Sequence, residues 1–208
     1  MPLLLNKPIN PNSKLALWHI TESIDELLLQ LNCRVDPLVL GVNEQLKKQR
    51  LCARILVNLL FAEPCQEIKY DFYNKPFVVN STAKISISHA HDRVAVIINK
   101  YNETGIDIEL IKSKIERIAE RFMSKDELSY LDNNRRIEQL TTFWCAKEAL
   151  YKYYGKKELL FRENIFVEPF SQNASGKLVG HIKTSHINID LSLCYEKTGD
   201  YMLVYVND

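Results

Sequence analysis

Two acidic residues, Asp107 and Glu109, alternate with the apolar residues Ile106, Ile108 and Leu110. In a β-strand, alternate side chains point to one face, so the two carboxylates would lie roughly 7 Å apart on the same side. Like charges at that distance repel each other and gain from a hard cation with oxygen ligands. Magnesium suits such a pair, because it needs few carboxylates and completes its shell with water and phosphate oxygens. A solvent-facing strand whose acids only keep an edge soluble is the alternative.

A second charged group interrupts an apolar stripe on the longest predicted helix. Lys147 falls inside the stripe, and Glu148 and Lys152 lie one turn apart on its flank. Because burying a lysine in an apolar face is costly unless it is paired, we expect Lys147 and Lys152 to face phosphate oxygens. Glu148 would then join the two strand carboxylates around a metal, and a buried ion pair for Lys147 is the alternative. The stripe consists of Leu140, Phe143, Trp144, Leu150, Tyr151 and Tyr154.

A third group lies at the end of a predicted strand in the first half of the chain. Ser88 and His89 close this strand, and Lys75 precedes Pro76 upstream. Hydroxyl and imidazole groups at a strand end can donate to a phosphate. A histidine satisfied within the fold is the alternative.

These groups must be positioned by helices and strands that the pattern of apolar residues predicts. In the first half we predict a strand at 15–20, helices at 24–30 and 44–61, and a hairpin of 84–88 with 94–98. In the second half we predict a strand at 105–110, helices at 115–122, 125–131 and 136–154, and a hairpin of 187–195 with 201–206. Ser124 and Glu127 form a capping-box pattern, and Gly155 is placed to end the long helix.

The order of elements in the first half recurs in the second. Cys52-Ala-Arg54 in one long helix also parallels Cys145-Ala-Lys147 in the other. We therefore predict an α+β fold of two similar lobes, 1–103 and 104–208, related as a pseudo-twofold duplication or pseudodimer. Each lobe would have a small, mostly antiparallel sheet packed on a long helix, with the active site in the cleft between the lobes.

Composition narrows the class of protein. The 208 residues carry a formal net charge of +1, which gives no general reason for nucleic-acid binding. The Met1–Leu5 start lacks a charged leader and is followed by Asn6 and Pro8, so we expect neither a signal peptide nor a membrane span, and a cytoplasmic location. The five cysteines show no C-x-x-C spacing, so we expect buried, reduced thiols.

Together these segments resemble the 4′-phosphopantetheinyl transferase superfamily, specifically its long, single-chain Sfp-type branch. The resemblance runs from about residue 50 to residue 155. The matching segments are Lys75-Pro76, Ile87-Ser88-His89, Gly105-Ile-Asp-Ile-Glu109 and Phe143-Trp-Cys-Ala-Lys-Glu-Ala-Leu-Tyr-Lys152.

The resemblance implies a monomer that binds coenzyme A as co-substrate and magnesium as cofactor. The implied metal ligands are Asp107, Glu109 and Glu148. The implied coenzyme A contacts are Arg50 at the 3′-phosphate, Lys75, Ser88 and His89 at the nucleotide end, and Lys147 and Lys152 at the phosphates.

The implied reaction is attack by a serine of an apo acyl or peptidyl carrier protein on coenzyme A, giving holo-carrier and 3′,5′-ADP, as in holo-acyl-carrier-protein synthases. Glu148, Lys152 and Asp107 are the predicted catalytic residues; Glu148 is the first candidate for accepting the serine proton, and Glu127 the second.

Carriers are commonly acidic, so they would dock on a basic segment unless that segment is only a solvated surface. Its residues are Lys112, Lys114, Arg117, Arg121 and Lys125.

Two other functions stay open from sequence alone. One is a noncatalytic module that binds coenzyme A or a carrier. The other is a different magnesium-dependent phosphotransferase or nuclease, which would hydrolyse nucleotides without a carrier.

Overall fold

The computed structural model describes residues 2–208, apart from the side chains of Leu38 and Leu40. Met1, the first residue of the N-terminal segment considered above, lies outside the described residues. The chain forms two compact units, one ending at Glu103 and the other running from Thr104 to Asp208. Each unit combines an antiparallel sheet with helices, which confirms the predicted α+β class.

Unit 1 is built on a six-stranded antiparallel sheet in the order β1-β2-β6-β5-β4-β3. Its strands are β1 Leu3–Asn10, β2 Ser13–His19, β3 Ile68–Tyr70, β4 Pro76–Val78, β5 Lys84–Ala90 and β6 Arg93–Asn99. Its helices are α1 Ile24–Leu31, α2 Pro37–Leu40 and α3 Glu44–Phe61.

Local sequence explains the main elements of unit 1. Asn43 caps α3 by accepting a hydrogen bond from the backbone of Leu46, and α3 has the predicted bounds. β5 and β6 form the predicted hairpin, in which Ser88 pairs with Ala95. Apolar residues of α3 and of this sheet are buried together in one core.

Unit 2 contains a five-stranded antiparallel sheet in the order β7-β11-β10-β9-β8. Its strands are β7 Ile106–Leu110, β8 Ile165–Val167, β9 Ser175–Lys183, β10 Asn188–Thr198 and β11 Tyr201–Val206. Its helices are a 3₁₀ helix Ser113–Ile118, α4 Ala119–Phe122, α5 Lys125–Ser129, α6 Arg136–Tyr154 and α7 Phe161–Asn164. No helix within residues 2–208 is long and apolar enough to cross a membrane.

Helix α6 is the central element of unit 2. It has the predicted bounds and ends at Gly155, whose φ of 74° places it in the left-handed region that favours glycine. The helix packs on β7 and β11, with Leu140, Phe143 and Leu150 fully buried. Ser124 and Glu127 make the predicted capping box at α5.

Gly105, just before β7, lets the strand approach α6 closely. A Cβ atom at this position would lie 1.9 Å from the backbone oxygen of Ala149 and 3.0 Å from the backbone nitrogen of Tyr153. Any side chain would therefore force the strand and the helix apart. This contact brings the acidic strand against the charged end of α6.

The cysteines correct one prediction. Cys33 and Cys65 form a disulfide, because the segments that follow α1 and α3 bring their Cα atoms within 5.5 Å. Cys52 and Cys145 are buried free thiols, as predicted, and burial raises the pKa of both, to about 12 for Cys52. Cys194 is also free and partly buried.

Candidate active site

Asp107 and Glu109 lie on β7, which pairs with β11. Asp107 is only 4% exposed and Glu109 is half-buried. The neighbouring Ile106 and Ile108 are fully buried, so the strand is covered on both faces at this point. The solvent-facing strand considered from sequence is therefore excluded for Asp107.

Lys152 reaches from the last turn of α6 to this strand. Its Nζ atom donates to Asp107 Oδ1 at 2.7 Å and to the backbone oxygen of Ile106 at 3.0 Å. The Lys152 side chain is 27% exposed, so its ammonium group lies between the buried carboxylate and solvent. A lysine so placed neutralises Asp107 and can also meet an anion from outside.

Glu148 lies one turn before Lys152 and is half-buried. Burial, together with repulsion from Asp107 and Glu109, raises the pKa of Glu148 to about 7, although Lys152 opposes the rise. Burial and then Asp107 also raise the pKa of Glu109. The three carboxylates therefore share one electrostatic environment with a single ammonium group, which leaves an excess of negative charge.

Trp144 connects α6 to Glu109. Its Nε1 atom donates to Glu109 Oε1 at 3.3 Å. The indole ring stacks on Phe161 with 5.4 Å between ring centroids and meets Phe122 edge-on at 5.0 Å. Tyr151 also stacks on Phe161, with 5.2 Å between ring centroids. We call Phe122, Trp144, Tyr151 and Phe161 the aromatic wall.

The three carboxylates are better suited to a hard divalent cation that keeps some of its waters than to a metal enclosed by protein ligands. Within residues 2–208, no three histidine, cysteine or acidic side chains form a ready-made metal cage. A cage is not needed for a cation that keeps its waters and takes one or two carboxylates plus substrate phosphates. Burial is the main cause of the raised pKa of Glu148 and Glu109, and such a cation would offset the repulsion that adds to it.

The prediction that Lys147 contacts phosphate is not supported. Its side chain is fully buried, and Nζ donates to Glu127 Oε2 at 2.8 Å. It also reaches the backbone oxygens of Phe122 at 2.7 Å, Ile165 at 2.7 Å and Phe161 at 3.1 Å. An ammonium group has three donors, and these four acceptors engage all of them. The buried ion pair, left open by the sequence, describes Lys147 in this structure, and burial lowers its pKa against the effect of Glu127.

Glu127 is likewise no longer a candidate for accepting the serine proton. The residue is 4% exposed and belongs to the capping box of α5. Besides Lys147, it accepts hydrogen bonds from the backbone nitrogens of Ser124 at 2.8 Å and Val167 at 3.0 Å. Its two oxygens are thus occupied within the protein.

The remaining predicted residues lie in unit 1. Ser88 is buried and His89 is exposed on β5, and the backbone oxygen of Arg50 on α3 accepts a hydrogen bond from Arg54 Nη1 at 3.0 Å. Lys75 Nζ lies 2.5 Å from Glu103 Oε2. Glu103 does not belong to any motif identified in the sequence.

Sequence reasoning also missed two members of the aromatic wall. Trp144 and Tyr151 have helical spacing on α6, but Phe161 comes from the unpredicted helix α7. Phe122 was placed in a helix without any assigned contact. One feature of the sequence indicated that Phe122 and Phe161 lie near α6: both occur close to predicted elements, one before and one after this helix.

Comparison with known proteins places the chain in a family. Residues 103–206, half of the chain, match the model of the 4′-phosphopantetheinyl transferase superfamily. The matched region contains Asp107, Glu109, Glu148 and Lys152. The chain therefore belongs to this superfamily, which confirms the resemblance found in the sequence.

Individual relatives match over shorter parts. The 4′-phosphopantetheinyl transferase AcpT of Salmonella typhimurium is 29% identical over 111 residues, covering 50% of this chain and 57% of that protein. The transferase gsp of Aneurinibacillus migulanus is 34% identical over 87 residues, covering 40% and 36%. The transferase ffp of Bacillus subtilis is 34% identical over 116 residues, covering 51% of each. The matched part thus spans less than two thirds of each relative.

Proposed function

We propose that this chain transfers the 4′-phosphopantetheine part of coenzyme A to a serine of an apo acyl or peptidyl carrier protein, releasing 3′,5′-ADP. One observation supports the proposal above others. Within the region that matches the superfamily, Asp107, Glu109 and Glu148 share one environment with Lys152. Carboxylates for a cation and a lysine for phosphate are what displacement at a pyrophosphate requires.

Asp107, Glu109 and Glu148 would hold Mg²⁺, which when bound supplies positive charge that offsets the charge on the pyrophosphate oxygens. Lys152 would exchange part of its contact with Asp107 for a phosphate oxygen, since its ammonium group is open to solvent on one side. This arrangement stabilises the leaving 3′,5′-ADP.

Glu148 is our candidate for accepting the proton of the attacking serine. Without a cation the pKa of Glu148 is about 7; bound Mg²⁺ would lower that pKa, so the carboxylate is ionised near neutral pH and available to take a proton. As the serine oxygen bonds to phosphorus and the pyrophosphate bond breaks, the proton would pass to the Glu148 carboxylate.

We further propose that Arg50, Lys75, Ser88 and His89 contact the nucleotide end of coenzyme A, as the resemblance implies. His89 is exposed on β5. Lys75 is held by Glu103, and the hydrogen bonds and charges of Lys75 and Lys84 lower the pKa of Glu103 although its burial acts in the opposite direction. Glu103 would thereby keep Lys75 in place.

The carrier would dock on the basic segment of unit 2. Its five cationic side chains lie along and beside the 3₁₀ helix and α4, and all are exposed. An acidic partner would meet them at short range. The residues are Lys112, Lys114, Arg117, Arg121 and Lys125.

We propose a monomer that acts in the cytoplasm without membrane or nucleic-acid partners. The near-neutral net charge of +1 supports the last point. In that reducing compartment, where disulfides are uncommon, the Cys33–Cys65 pair would be largely reduced.

Mass spectrometry of an apo carrier tests the function. The carrier is incubated with the protein, coenzyme A and Mg²⁺, and the expected result is the phosphopantetheine mass increment. The increment should disappear with Asp107→Asn or Glu148→Gln, each of which keeps side-chain size while removing a carboxylate. Nucleotide hydrolysis without a carrier would instead indicate another phosphotransferase, and binding of coenzyme A with no product would indicate a noncatalytic module.

A further inference from the structure

A buried ion pair lies behind the aromatic wall. The Nζ atom of Lys147 is 2.8 Å from Glu127 Oε2, and the exposed fractions of the two side chains are 0% and 5%. The transfer reaction as proposed does not use this pair, since neither side chain reaches solvent.

The pair joins segments that are distant in sequence. Lys147 on α6 holds the backbone oxygen of Phe122 at the end of α4, and those of Phe161 and Ile165 around α7. Glu127 extends the network to the backbone of Val167 on β8. One ammonium group thus fixes the end of the basic segment and the start of β8 against α6.

The same residues carry the rings of the aromatic wall. The backbone oxygens of Phe122 and Phe161 accept hydrogen bonds from Lys147, and their rings contact the ring of Trp144. Trp144 in turn donates to Glu109. A continuous set of contacts therefore runs from the ion pair to a carboxylate of the candidate active site.

Stability alone gives a poor reason for this pair. Removing two charges from water is costly, and well-packed apolar replacements of buried ion pairs are often as stable or more stable. Oriented hydrogen bonds to three different backbone oxygens, by contrast, fix geometry in a way that an apolar side chain does not. The network is suited to positioning.

We propose that Lys147 and Glu127 are positioning residues that hold Phe122 and Phe161 against Trp144 and so fix the bond from Trp144 to Glu109. The proposal rests on the proposed function, since the consequence of this placement is efficient transfer to the carrier. Neither residue touches substrate.

The test replaces both members of the pair by apolar residues of similar size, Lys147→Met with Glu127→Leu. It uses a Trp18→Phe background, in which Trp144 is the one remaining tryptophan of the two in the chain. Three quantities are measured: the thermal midpoint, the emission maximum of Trp144, and kcat and KM for the carrier and for coenzyme A.

We expect a folded variant with a lower thermal midpoint, because the backbone oxygens bound by Lys147 and the backbone nitrogens bound by Glu127 lose their partners. The Trp144 emission should move to longer wavelength as the wall loosens. kcat should fall roughly 10–100-fold, as for other residues that orient the groups of a site, while KM for coenzyme A stays within about twofold.

A matched control removes a partly exposed ion pair of the same unit, Lys197 with Glu138, whose Nζ and Oε1 atoms are 2.5 Å apart. Lys197→Met with Glu138→Leu should leave the emission maximum and kcat unchanged.

Three results would overturn the proposal. If the Lys147/Glu127 variant fails to fold, the pair serves stability. If the emission shifts while kcat is retained, the wall does not govern transfer; if kcat falls without a change in emission, the loss does not pass through Trp144. Absence of transfer in the parent would instead refute the proposed function, and the emission readout would still decide whether the pair holds the wall.

Discussion

In the candidate site, burial and repulsion from neighbouring carboxylates act together on Glu148. It is half-buried beside Asp107 and Glu109, with Lys152 as the opposing charge. In the absence of a cation, the folded protein therefore favours the protonated form of this carboxyl group. Once a cation is bound, the carboxylate would be ionised near neutral pH and could accept the proton of the serine.

The raised pKa of Glu148 predicts that the stability of the protein in EDTA depends on pH. The folded-state pKa of Glu148, about 7, lies above its ordinary value of 4.5, so the folded state binds the proton more tightly than the unfolded state. The resulting stability is present below about pH 4.5 and is lost as pH rises through about 7. Glu109 acts in the same direction. Urea unfolding between pH 5 and pH 8, roughly that window, should show a free energy of unfolding that falls as pH rises. The fall should be smaller in Glu148→Gln. Identical pH profiles of stability for the parent and the variant would contradict the raised pKa of Glu148.

His89 gives a second prediction at this scale. Because its side chain is exposed, His89→Ala should leave the thermal midpoint unchanged. Loss of a nucleotide contact should raise KM for coenzyme A, by roughly tenfold for one hydrogen bond to a charged group, with kcat largely retained. His186→Ala, an exposed histidine of unit 2, serves as the control. A KM for coenzyme A equal to that of the parent would remove His89 from the proposed contacts.

Residue roles were predictable only where local pattern decides them. The placement of Asp107 on a strand and of Glu148 and Lys152 on one helix flank follows from periodicities of two and 3.6. The role of Lys147 did not follow, because its acceptors include the backbone of Phe122 and Ile165, whose proximity depends on tertiary packing.

Among the elements, the contact between β7 and α6 matters most for the site. It brings Asp107 to Lys152, and it depends on the missing side chain of Gly105. Gly105→Ala should therefore destabilise the fold by about 1–3 kcal/mol or more through overpacking, and should lower kcat by displacing Asp107. Urea unfolding and single-turnover rates measure the two effects.

Gly41→Ala is the control, since a Cβ atom there meets its nearest neighbour, the oxygen of Pro37, at an ordinary 3.6 Å. A Gly105→Ala protein with the stability and turnover of the parent would show that strand and helix adjust without consequence.

Elements with strong periodicity and clear ends were predicted well. Helices α3 and α6 have the predicted bounds, because apolar spacing marks both helices and Gly155 marks the end of α6. Residues 115–122 form a 3₁₀ helix followed by the short α4 instead of one helix. Strands β1, β8 and β9 were not predicted; β1 and β8 are edge strands, and β9 lies between β8 and β10. The Cys33–Cys65 pairing needs a distance that sequence does not supply.

At the scale of the whole molecule, the distribution of charge is more informative than its sum. The net charge is +1, yet the basic segment presents five exposed cationic side chains next to the 3₁₀ helix and α4. Arg117→Glu with Arg121→Glu should raise KM for an acidic carrier several-fold and weaken its salt dependence, while KM for coenzyme A stays constant.

The control for this charge reversal is Lys177→Glu with Lys183→Glu, two exposed lysines on β9. An unchanged carrier KM in the Arg117/Arg121 variant would assign the basic segment to solvent.

The class of fold and the family were both accessible from sequence. The repeated order of elements predicted the α+β class, and the spacing of the acidic strand and the charged helix indicated the superfamily that the comparisons then confirmed. The detailed site was only partly accessible, because α6 also contacts short segments whose positions depend on tertiary packing, at Phe122, Phe161 and Ile165.

A crystal structure of the protein with coenzyme A and Mg²⁺ tests the central claim most directly. We predict a cation bound by carboxylate oxygens of Asp107, Glu109 and Glu148, at roughly 2.0–2.1 Å from those that it coordinates directly, and in contact with the pyrophosphate, with Lys152 on a phosphate oxygen. Coenzyme A bound with its pyrophosphate away from Asp107 and Glu148, or a cation held by other residues, would contradict it.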